Sequence, residues 1–151
     1  MTVLEIIRLD ELPDTISALA DLARADDFLA FDRLVLDFEN GSNAFDRPGE
    51  ALFGAFFSGQ LIGVGGLNID PYEPGPGLGR VRRMFIDPAH RGRGIGRALI
   101  GAIEAHAAQH FVQLQLFTDS VDAARFYETL GYRPIAGRDK ISHVKQIGHS
   151  T

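Results

Sequence analysis

The chain contains no cysteine, and this absence excludes two kinds of chemistry. Without thiols, disulfide bonds cannot hold the fold, and no enzyme cysteine can carry an acyl group through a covalent step. The first residues also lack a basic leader joined to a sufficiently long apolar run, so we expect no secretory signal. These absences favour a cytoplasmic protein that is held together by its hydrophobic core.

Long apolar runs are also scarce. One uncharged stretch, residues 51–69, approaches the length of a membrane span, but the Ser-Gly-Gln segment at residues 58–60 interrupts its middle. A tight turn at that point predicts a hairpin of two strands, 51–57 and 61–68, instead of one membrane helix. We therefore expect no membrane partner.

The charge of the chain is negative overall but positive in one place. The 151 residues carry a formal net charge of −5 and have a sequence pI of about 5.4, which disfavours nucleic acid as a partner. Six arginines nevertheless fall within residues 80–97. A local basic patch on an acidic chain suits a small polyanion better than a polymer. The length and the 45% apolar content suit one domain over residues 1–151.

A glycine-rich segment, Arg-Gly-Arg-Gly-Ile-Gly at residues 91–96, lies inside that basic region. It follows a predicted strand, residues 80–86, and leads into a predicted helix, residues 97–109. Glycines let the backbone turn tightly and present several N–H groups to one ligand, and the start of the helix adds its positive dipole. The pattern predicts a loop that binds a pyrophosphate.

Two common phosphate-binding loops do not fit the spacing. The P-loop requires Gly-Lys followed by Ser or Thr, whereas Gly96 is followed by Arg97. The dinucleotide-binding fingerprint requires glycines at its first, third and sixth positions. Counted from Gly92 the sixth residue is Arg97, and counted from Gly94 it is Leu99, so both registers fail.

A second motif, Ala-x-x-Phe-Tyr-x-x-x-Gly-Tyr, runs from Ala123 to Tyr132. It predicts a helix that Ser120 or Asp122 caps and that Gly131 ends. Together with Arg-x-x-Gly-x-Gly at residues 91–96, it resembles the GNAT acyltransferase family. The first motif is similar to the coenzyme A pyrophosphate loop of that family, and the second is similar to its other characteristic block.

The apolar periodicity along the chain predicts the order β-α-α-β-β-β-α-β-α-β-β. This is the pattern of an α/β layered domain with a mixed sheet. It is also the order of the GNAT fold, a mixed, mostly antiparallel sheet flanked by helices. The resemblance is specific over about residues 80–132, and the N-terminal third agrees in pattern only.

The resemblance implies an N-acetyltransferase that moves an acetyl group from acetyl-CoA directly to a primary amine of a small molecule or peptide. The alternative is a coenzyme A-binding sensor or subunit without turnover. The resemblance implies no metal, and a monomer or a homodimer. His106 and His110 have the spacing of metal ligands on one helix, but no third ligand is evident nearby. The residues implied to bind the cofactor are Met84, Phe85, Ile86, Arg91, Gly92, Arg93, Gly94, Ile95, Gly96, Arg97, Ser120 and Ala123.

Tyr127 matches the position at which the family places a proton donor for the departing thiolate. The spacing of Phe126 and Leu130 predicts that these two side chains face the sheet, with Tyr127 turned away from them. In many members an asparagine occupies the position of Ser120. A serine there can still make a hydrogen bond to the cofactor, but it lacks the two-ended amide.

The general base is the second departure from the family pattern. Many members carry a glutamate where this chain has Arg80, and an arginine cannot accept a proton at neutral pH. A water relay, Glu73, Asp70 or His143 could replace it, and the ordinary pKa of histidine favours His143.

The acceptor side is predicted from charge alone. Between residues 39 and 73 there are five acidic side chains and one basic one, which predicts an acidic rim that attracts a cationic amine. A solvated acidic surface is the alternative. The candidate substrate-binding residues in this region are Asp70, Tyr72 and Glu73.

Overall fold

The computed structural model describes residues 3–73 and 75–148, and the elements in them follow the predicted order. Four α-helices and one short 3₁₀ turn, Pro88–His90, accompany a seven-stranded sheet. None of the helices in the described ranges is both long enough and apolar enough to cross a membrane. The elements are β1 Leu4–Arg8, α1 Ile16–Ala25, α2 Ala30–Asn40, β2 Ala51–Phe57, β3 Gln60–Ile69, β4 Leu78–Ile86, α3 Ile95–Ala107, β5 Gln113–Leu116, α4 Val121–Thr129, β6 Arg133–Pro134 and β7 His143–Gln146.

The sheet runs in the order β1-β2-β3-β4-β5-β7-β6 and is antiparallel except between β4 and β5. The parallel pairing covers only three residues of each strand, 78–80 of β4 and 113–115 of β5. Beyond Arg80 the two strands separate, and β4 continues to Ile86 without β5 beside it. The sheet is therefore continuous at one end of β4 and open at the other.

Helices cover both faces of the sheet because each buries one apolar stripe. On one face, α1 and α2 pack through residues such as Leu19 and Leu34 against Phe85 of β4. On the other face, α3 packs through Leu99 and Ile103 against the centre of the sheet. The two cores meet the sheet from opposite sides, so the opening between β4 and β5 lies between them.

The orientation of α4 differs from the prediction. Tyr127 is the buried residue of this helix, at 8% exposure, whereas Phe126 and Leu130 are only partly buried. Phe126 packs against the first turn of α3, where a Cβ at Gly96 would lie 3.0 Å from its ring. Since Phe126 covers α3, the next position along the helix points into the opening of the sheet, and Tyr127 occupies it.

The predicted ends of α4 are confirmed. Ser120 caps the helix by accepting a hydrogen bond from the N–H of Ala123 at 3.2 Å. At the other end Gly131 has φ +95° and begins a Schellman motif, in which the N–H of Tyr132 donates to the carbonyl of Tyr127 at 3.1 Å. The glycine is required there because the left-handed conformation strains any other common residue.

A β-bulge interrupts β4 where it passes β3. Val64 pairs with Phe85 and Gly66 pairs with Arg82, so the two intervening residues of β4 oppose one residue of β3. The first of these two, Arg83, has φ +58°, a left-handed conformation that is rare for a residue with a side chain. Tight packing of the Phe45 ring over Gly66 holds β3 next to the bulge.

We expect Gly66→Ala to lower the free energy of unfolding by about 1–3 kcal/mol through overpacking. A Cβ at this position would lie 2.5 Å from Cε1 of the buried Phe45 ring and 2.9 Å from its Cζ. Gly101→Ala is the matched control, because the exposed α3 position has open space, and it should add up to about 1 kcal/mol through helix propensity. Thermal unfolding measures both, and an unchanged midpoint for Gly66→Ala would show that the ring moves aside.

Candidate active site

A cleft of about 370 Å³ occupies the opening between β4 and β5. One wall is β4 itself, the opposite wall comes from the end of β5 and from α4, and the start of α2 closes one side. The described residues that line it are Phe28, Ala30, Tyr72, Arg80, Val81, Arg82, Arg83, Met84, Leu116, Phe117, Thr118, Ala123 and Tyr127.

The glycine-rich loop presents an open helix N-terminus beside this strand. Gly92 and Gly94 both have φ +80°, and Gly94 is the N-cap of α3. The first helical hydrogen bond joins the N–H of Ala98 to the carbonyl of Gly94 at 3.1 Å. Earlier N–H groups of the turn, those of residues 95–97, have no backbone acceptor within the described chain, and they carry the positive end of the helix dipole.

The three glycines of the loop differ in the free space beside them, and this difference indicates two roles. A Cβ at Gly92 or Gly94 would meet no protein atom within 4 Å, so a ligand can approach the backbone there. Gly96, by contrast, is buried, and its missing side chain leaves room for Phe126. The first two glycines therefore suit an anion site, and Gly96 suits the packing of α4 on α3.

The arginines of the loop also differ. Arg91 donates to the Asp26 carboxylate at 2.7 Å and to the carbonyl of Ile86 at 3.1 Å, so it ties the loop to the end of α1. Arg93 and Arg97 are exposed and form no ion pair with the residues the structure describes. These two side chains can reach a bound anion more freely than Arg91.

The remaining predicted cofactor residues divide between the two faces of β4. Met84 and Ala123 line the cleft. Phe85 is buried on the other face, where its ring centroid lies 5.4 Å from that of Phe28. Ile86 packs against the α3 side of the core, and Ser120 holds the start of α4. Only the backbone of Phe85 and Ile86 can therefore face a ligand that follows the free edge of β4.

Tyr127 brings a hydroxyl group into the wall of the cleft. Burial raises its pKa above the ordinary tyrosine value, so the group stays protonated. In residues 3–73 and 75–148 no group forms a hydrogen bond with this hydroxyl. The neighbouring Tyr132, with its ring centroid 5.6 Å away, instead donates to Oε2 of Glu104 at 2.8 Å. The Tyr132 hydroxyl is thus bound to a protein partner, whereas the Tyr127 hydroxyl is available to a ligand.

His143 lies outside the lining of the cleft. It is 4% exposed, and its Nε2 lies 2.9 Å from Oε2 of Glu128 while its Nδ1 lies 2.8 Å from the Ser142 hydroxyl. Both ring nitrogens therefore already have partners, and the ring joins β7 to α4. This geometry ties His143 to its neighbours and keeps the ring out of direct contact with an amine in the cleft.

Asp70 and Arg80 form a buried pair at the base of the cleft. Their nearest atoms are 3.4 Å apart, and the same Asp70 oxygen accepts a hydrogen bond from Gln115 at 2.8 Å. The other oxygen accepts from the N–H groups of Tyr72 and Glu73. Asp70 is thus fully engaged, and it positions Tyr72, whose ring lines the cleft.

The structure does not form the predicted acidic rim. Glu50 is 3% exposed and accepts hydrogen bonds from Asn68 and from the backbone N–H of Ile69. Glu73 pairs with Arg138. Together with the buried Asp70, three of the five carboxylates are therefore occupied by protein partners, because the polar groups of the adjacent loops need acceptors once buried.

Comparison with known proteins adds an independent observation. A model of the acetyltransferase (GNAT) family matches residues 16–132. The chain belongs to this family. It is 32% identical over 105 residues to N-alpha-acetyltransferase RimI of Mycobacterium tuberculosis, covering 67% of this chain and 66% of that protein. It is 29% identical over 87 residues to spermine/spermidine N(1)-acetyltransferase of Bacillus subtilis, covering 53% and 57%.

The fold of this GNAT chain also matches solved structures. A protein of Exiguobacterium sp. 255-15, described as an acetyltransferase, superposes with a TM-score of 0.84 at 26% identity, covering 95% of this chain and 93% of that one. This chain spans 66% or less of the length of the curated relatives it matches. The likeness confirms the predicted mixed α/β architecture.

Sequence reasoning missed several residues of the GNAT cleft. Phe28 reaches it from the segment before α2, and Thr118 follows β5. Arg82 and Arg83 both line it, although neighbouring strand residues ordinarily face opposite sides. The only signal in the sequence was an Arg-Arg pair inside an apolar strand, and the bulge at Arg83 has no sequence signature.

We expect Gly94→Val to weaken coenzyme A binding at least about 10-fold, because the new side chain would occupy the open space beside the helix N-terminus and remove charge-assisted hydrogen bonds. Gly59→Val is the matched control. Gly59 lies in the β2–β3 turn with φ +82° and open space, so both variants carry similar backbone strain. Calorimetric titration measures the affinity. Equal losses in both variants, or no loss in Gly94→Val, would show that the pyrophosphate binds elsewhere.

Proposed function

We propose that residues 1–151 form one acyltransferase domain that moves an acetyl group from acetyl-CoA to a primary amine of a small molecule or peptide, without a metal. One observation carries the proposal. The cleft between β4 and β5 places an open helix N-terminus at the end of β4 and the Tyr127 hydroxyl in the facing wall. Family membership supports the acetyl group and the coenzyme.

The donor would bind along the free edge of β4. Its pyrophosphate would rest on the N–H groups of residues 95–97, with Arg93 and Arg97 close enough to add charge. Its amide-containing arm would pair with the backbone of residues 84–86, as an added strand pairs with an open sheet edge. That backbone is available because β5 pairs with β4 only as far as Arg80.

Direct transfer forms a C–N bond while the C–S bond of the thioester breaks. The attacking nitrogen must be neutral, and the sulfur leaves as a thiolate that needs a proton. Tyr127 would donate that proton, since its hydroxyl lies in the cleft and its raised pKa keeps it protonated.

The amine must also lose a proton, and the part of the cleft that the structure describes offers no obvious group to accept it. Among the described residues that line the cleft there is no carboxylate and no histidine. Arg80 remains a cation, since a guanidinium cannot be deprotonated in a protein. The amine must therefore arrive neutral or lose its proton to water. This makes the free-amine concentration, and not a base of the protein, the quantity that limits transfer at low pH.

The named relatives support N-acetylation but not one acceptor. RimI is named for α-amino groups and the Bacillus enzyme for a polyamine. These names share the chemistry of transfer to nitrogen, and they differ in the charge and size of the acceptor. The acceptor of this chain must be inferred from its own cleft.

We expect Tyr127→Phe to lower the rate constant of acetyl transfer by roughly 10²–10⁴ and to leave coenzyme A affinity within about twofold. Tyr132→Phe is the control: it removes a hydroxyl that bonds Glu104, so it should lower stability and leave the chemical step nearly unchanged. Single-turnover kinetics with a reactive amine measure both. A rate for Tyr127→Phe within twofold of the parent would assign the proton to water or to another group.

The pH profile of kcat/KM should show a rise on the acid side and no fall on the basic side. The pKa of Tyr127 is raised by burial, so the acid form persists at a pH at which an ordinary tyrosine, with a pKa of about 10, begins to ionise. We therefore expect kcat/KM to rise as the acceptor amine deprotonates and to show no fall up to about pH 10. A profile from pH 6 to 10 measures this. A fall with an apparent pKa near 8 or 9 would identify a different acid.

A further inference from the structure

The charged residues in the described lining of the cleft are all basic. Three of the described lining residues are arginines, Arg80, Arg82 and Arg83, and none of the lining residues in the described ranges is acidic. This contrasts with the net charge of −5 for the whole chain. A pocket whose charge opposes that of the rest of the protein concentrates ligands of the opposite sign.

Arg80 is already neutralised by the protein. Its guanidinium pairs with Asp70, donates to the carbonyl of Lys140 at 2.5 Å, and lies 4.7 Å from the centre of the Tyr72 ring. It is 5% exposed. These contacts satisfy its charge and hold it in place, so Arg80 acts as part of the base of the cleft and leaves ligand binding to its neighbours.

Arg82 and Arg83 have no such partners. Within residues 3–73 and 75–148 neither guanidinium forms an ion pair or a side-chain hydrogen bond. Asp37 attracts Arg83 through space, but its carboxylate is already paired with Arg33 at 3.5 Å. Burial and the charge of Arg82 lower the pKa of Arg83. Two adjacent, half-buried and unpaired cations are costly to the free protein and are relieved by an anion.

The backbone of β4 is strained at Arg83, where the bulge lies. In a regular strand Arg82 and Arg83 would point to opposite faces of the sheet. The bulge gives Arg83 a φ of +58°, both residues line the same cleft, and the charge of Arg82 acts on Arg83. Left-handed conformations of residues with side chains are strained and concentrate at functional sites.

Tyr72 extends the same surface toward solvent. Its ring is 48% exposed, and besides Arg80 it has the Arg82 guanidinium 5.8 Å and the Lys140 ammonium 5.3 Å from its centre. The ring therefore sits among cations at the edge of the cleft. An acceptor that enters past Tyr72 meets positive charge before it reaches the position of the thioester.

We propose that the amine acceptor carries an anionic group, a carboxylate or a phosphate, which Arg82 and Arg83 bind while the amine faces the thioester. The amine part of this inference rests on the proposed acetyl transfer. The anion part rests only on the arginine pair. A guanidinium fork matches both carboxylate and phosphate oxygens.

The substrate test uses two matched series. L-phenylalanine, its amide and phenethylamine differ in the carboxylate, and phosphoethanolamine and ethanolamine differ in the phosphate. Because the amines differ in basicity, kcat/KM is expressed per neutral amine. We expect the anionic member of at least one series to be favoured by roughly 10- to 100-fold over its uncharged partner, the effect of a charge-assisted hydrogen bond. The series that shows the preference identifies the anion.

The variant test uses Arg83→Gln and Arg82→Gln, with Arg133→Gln as control. Glutamine keeps a side chain at the bulge, so the backbone strain is unchanged. Arg133 is exposed on β6 and lies outside the cleft, and its loss changes the net charge equally. We expect the first two variants to lose most of the preference through a higher KM, Arg83→Lys to restore part of it, and Arg133→Gln to keep it.

A binding measurement separates this inference from the proposed function. Hydrocinnamate, a carboxylate without an amine, is titrated into the coenzyme A-loaded protein beside the neutral hydrocinnamamide, and ethyl phosphate beside ethanol. Binding of either anion that Arg83→Gln weakens at least about 10-fold supports the anion site even if no amine is acetylated, a result that would overturn only the acyltransferase function.

Three results would overturn the inference itself. The first is a preference for neutral or cationic amines. The second is anion binding that is absent, or equal in the parent and in Arg83→Gln. The third is a loss of coenzyme A affinity in Arg83→Gln as large as the loss of acceptor preference, because Arg83 would then serve the cofactor.

Discussion

One buried carboxylate, that of Asp70, joins β4 and β5 at the point where the two strands part. Arg80 and Gln115 are the last paired residues of the two strands, and both side chains bind the same oxygen of Asp70. The contact joins the strands at the point where they begin to part, so the opening has a fixed vertex. Because the position that many family members fill with an acid is Arg80 here, that position fixes the strands at the base of the cleft, and the chemistry must rely on other groups.

The candidate functional groups of the described residues lie around that opening. The free edge of β4 offers backbone groups to a ligand, and the glycine loop at the end of the strand offers the N–H groups of α3. From the other side, the packing of Phe126 on Gly96 turns Tyr127 into the gap. A single packing contact between α3 and α4 thus positions both the glycine-rich loop and Tyr127. Changes in the loop and in α4 should therefore affect each other.

Electrostatics divide the opening into two regions. The α3 N-terminus, with Arg93 and Arg97, provides positive potential near the end of β4, and the bulge provides a second positive region with Arg82 and Arg83. Two separate anion-attracting regions fit a two-substrate reaction in which both partners carry negative charge. Tyr127 lies in the wall of the same cleft, and its burial keeps it neutral between these positive groups.

The sequence by itself determined the family and the order of the elements, because these depend on local patterns. Glycine spacing, helix caps and apolar periodicity act over a few residues, and each was visible before folding. The tertiary structure alone decided which side chains meet. His143 was assigned to Glu128, Asp70 to Arg80, and the Arg82–Arg83 pair to one cleft. These outcomes depend on strand register, on a bulge and on burial, which bring together residues far apart in the chain, and no local pattern encodes them.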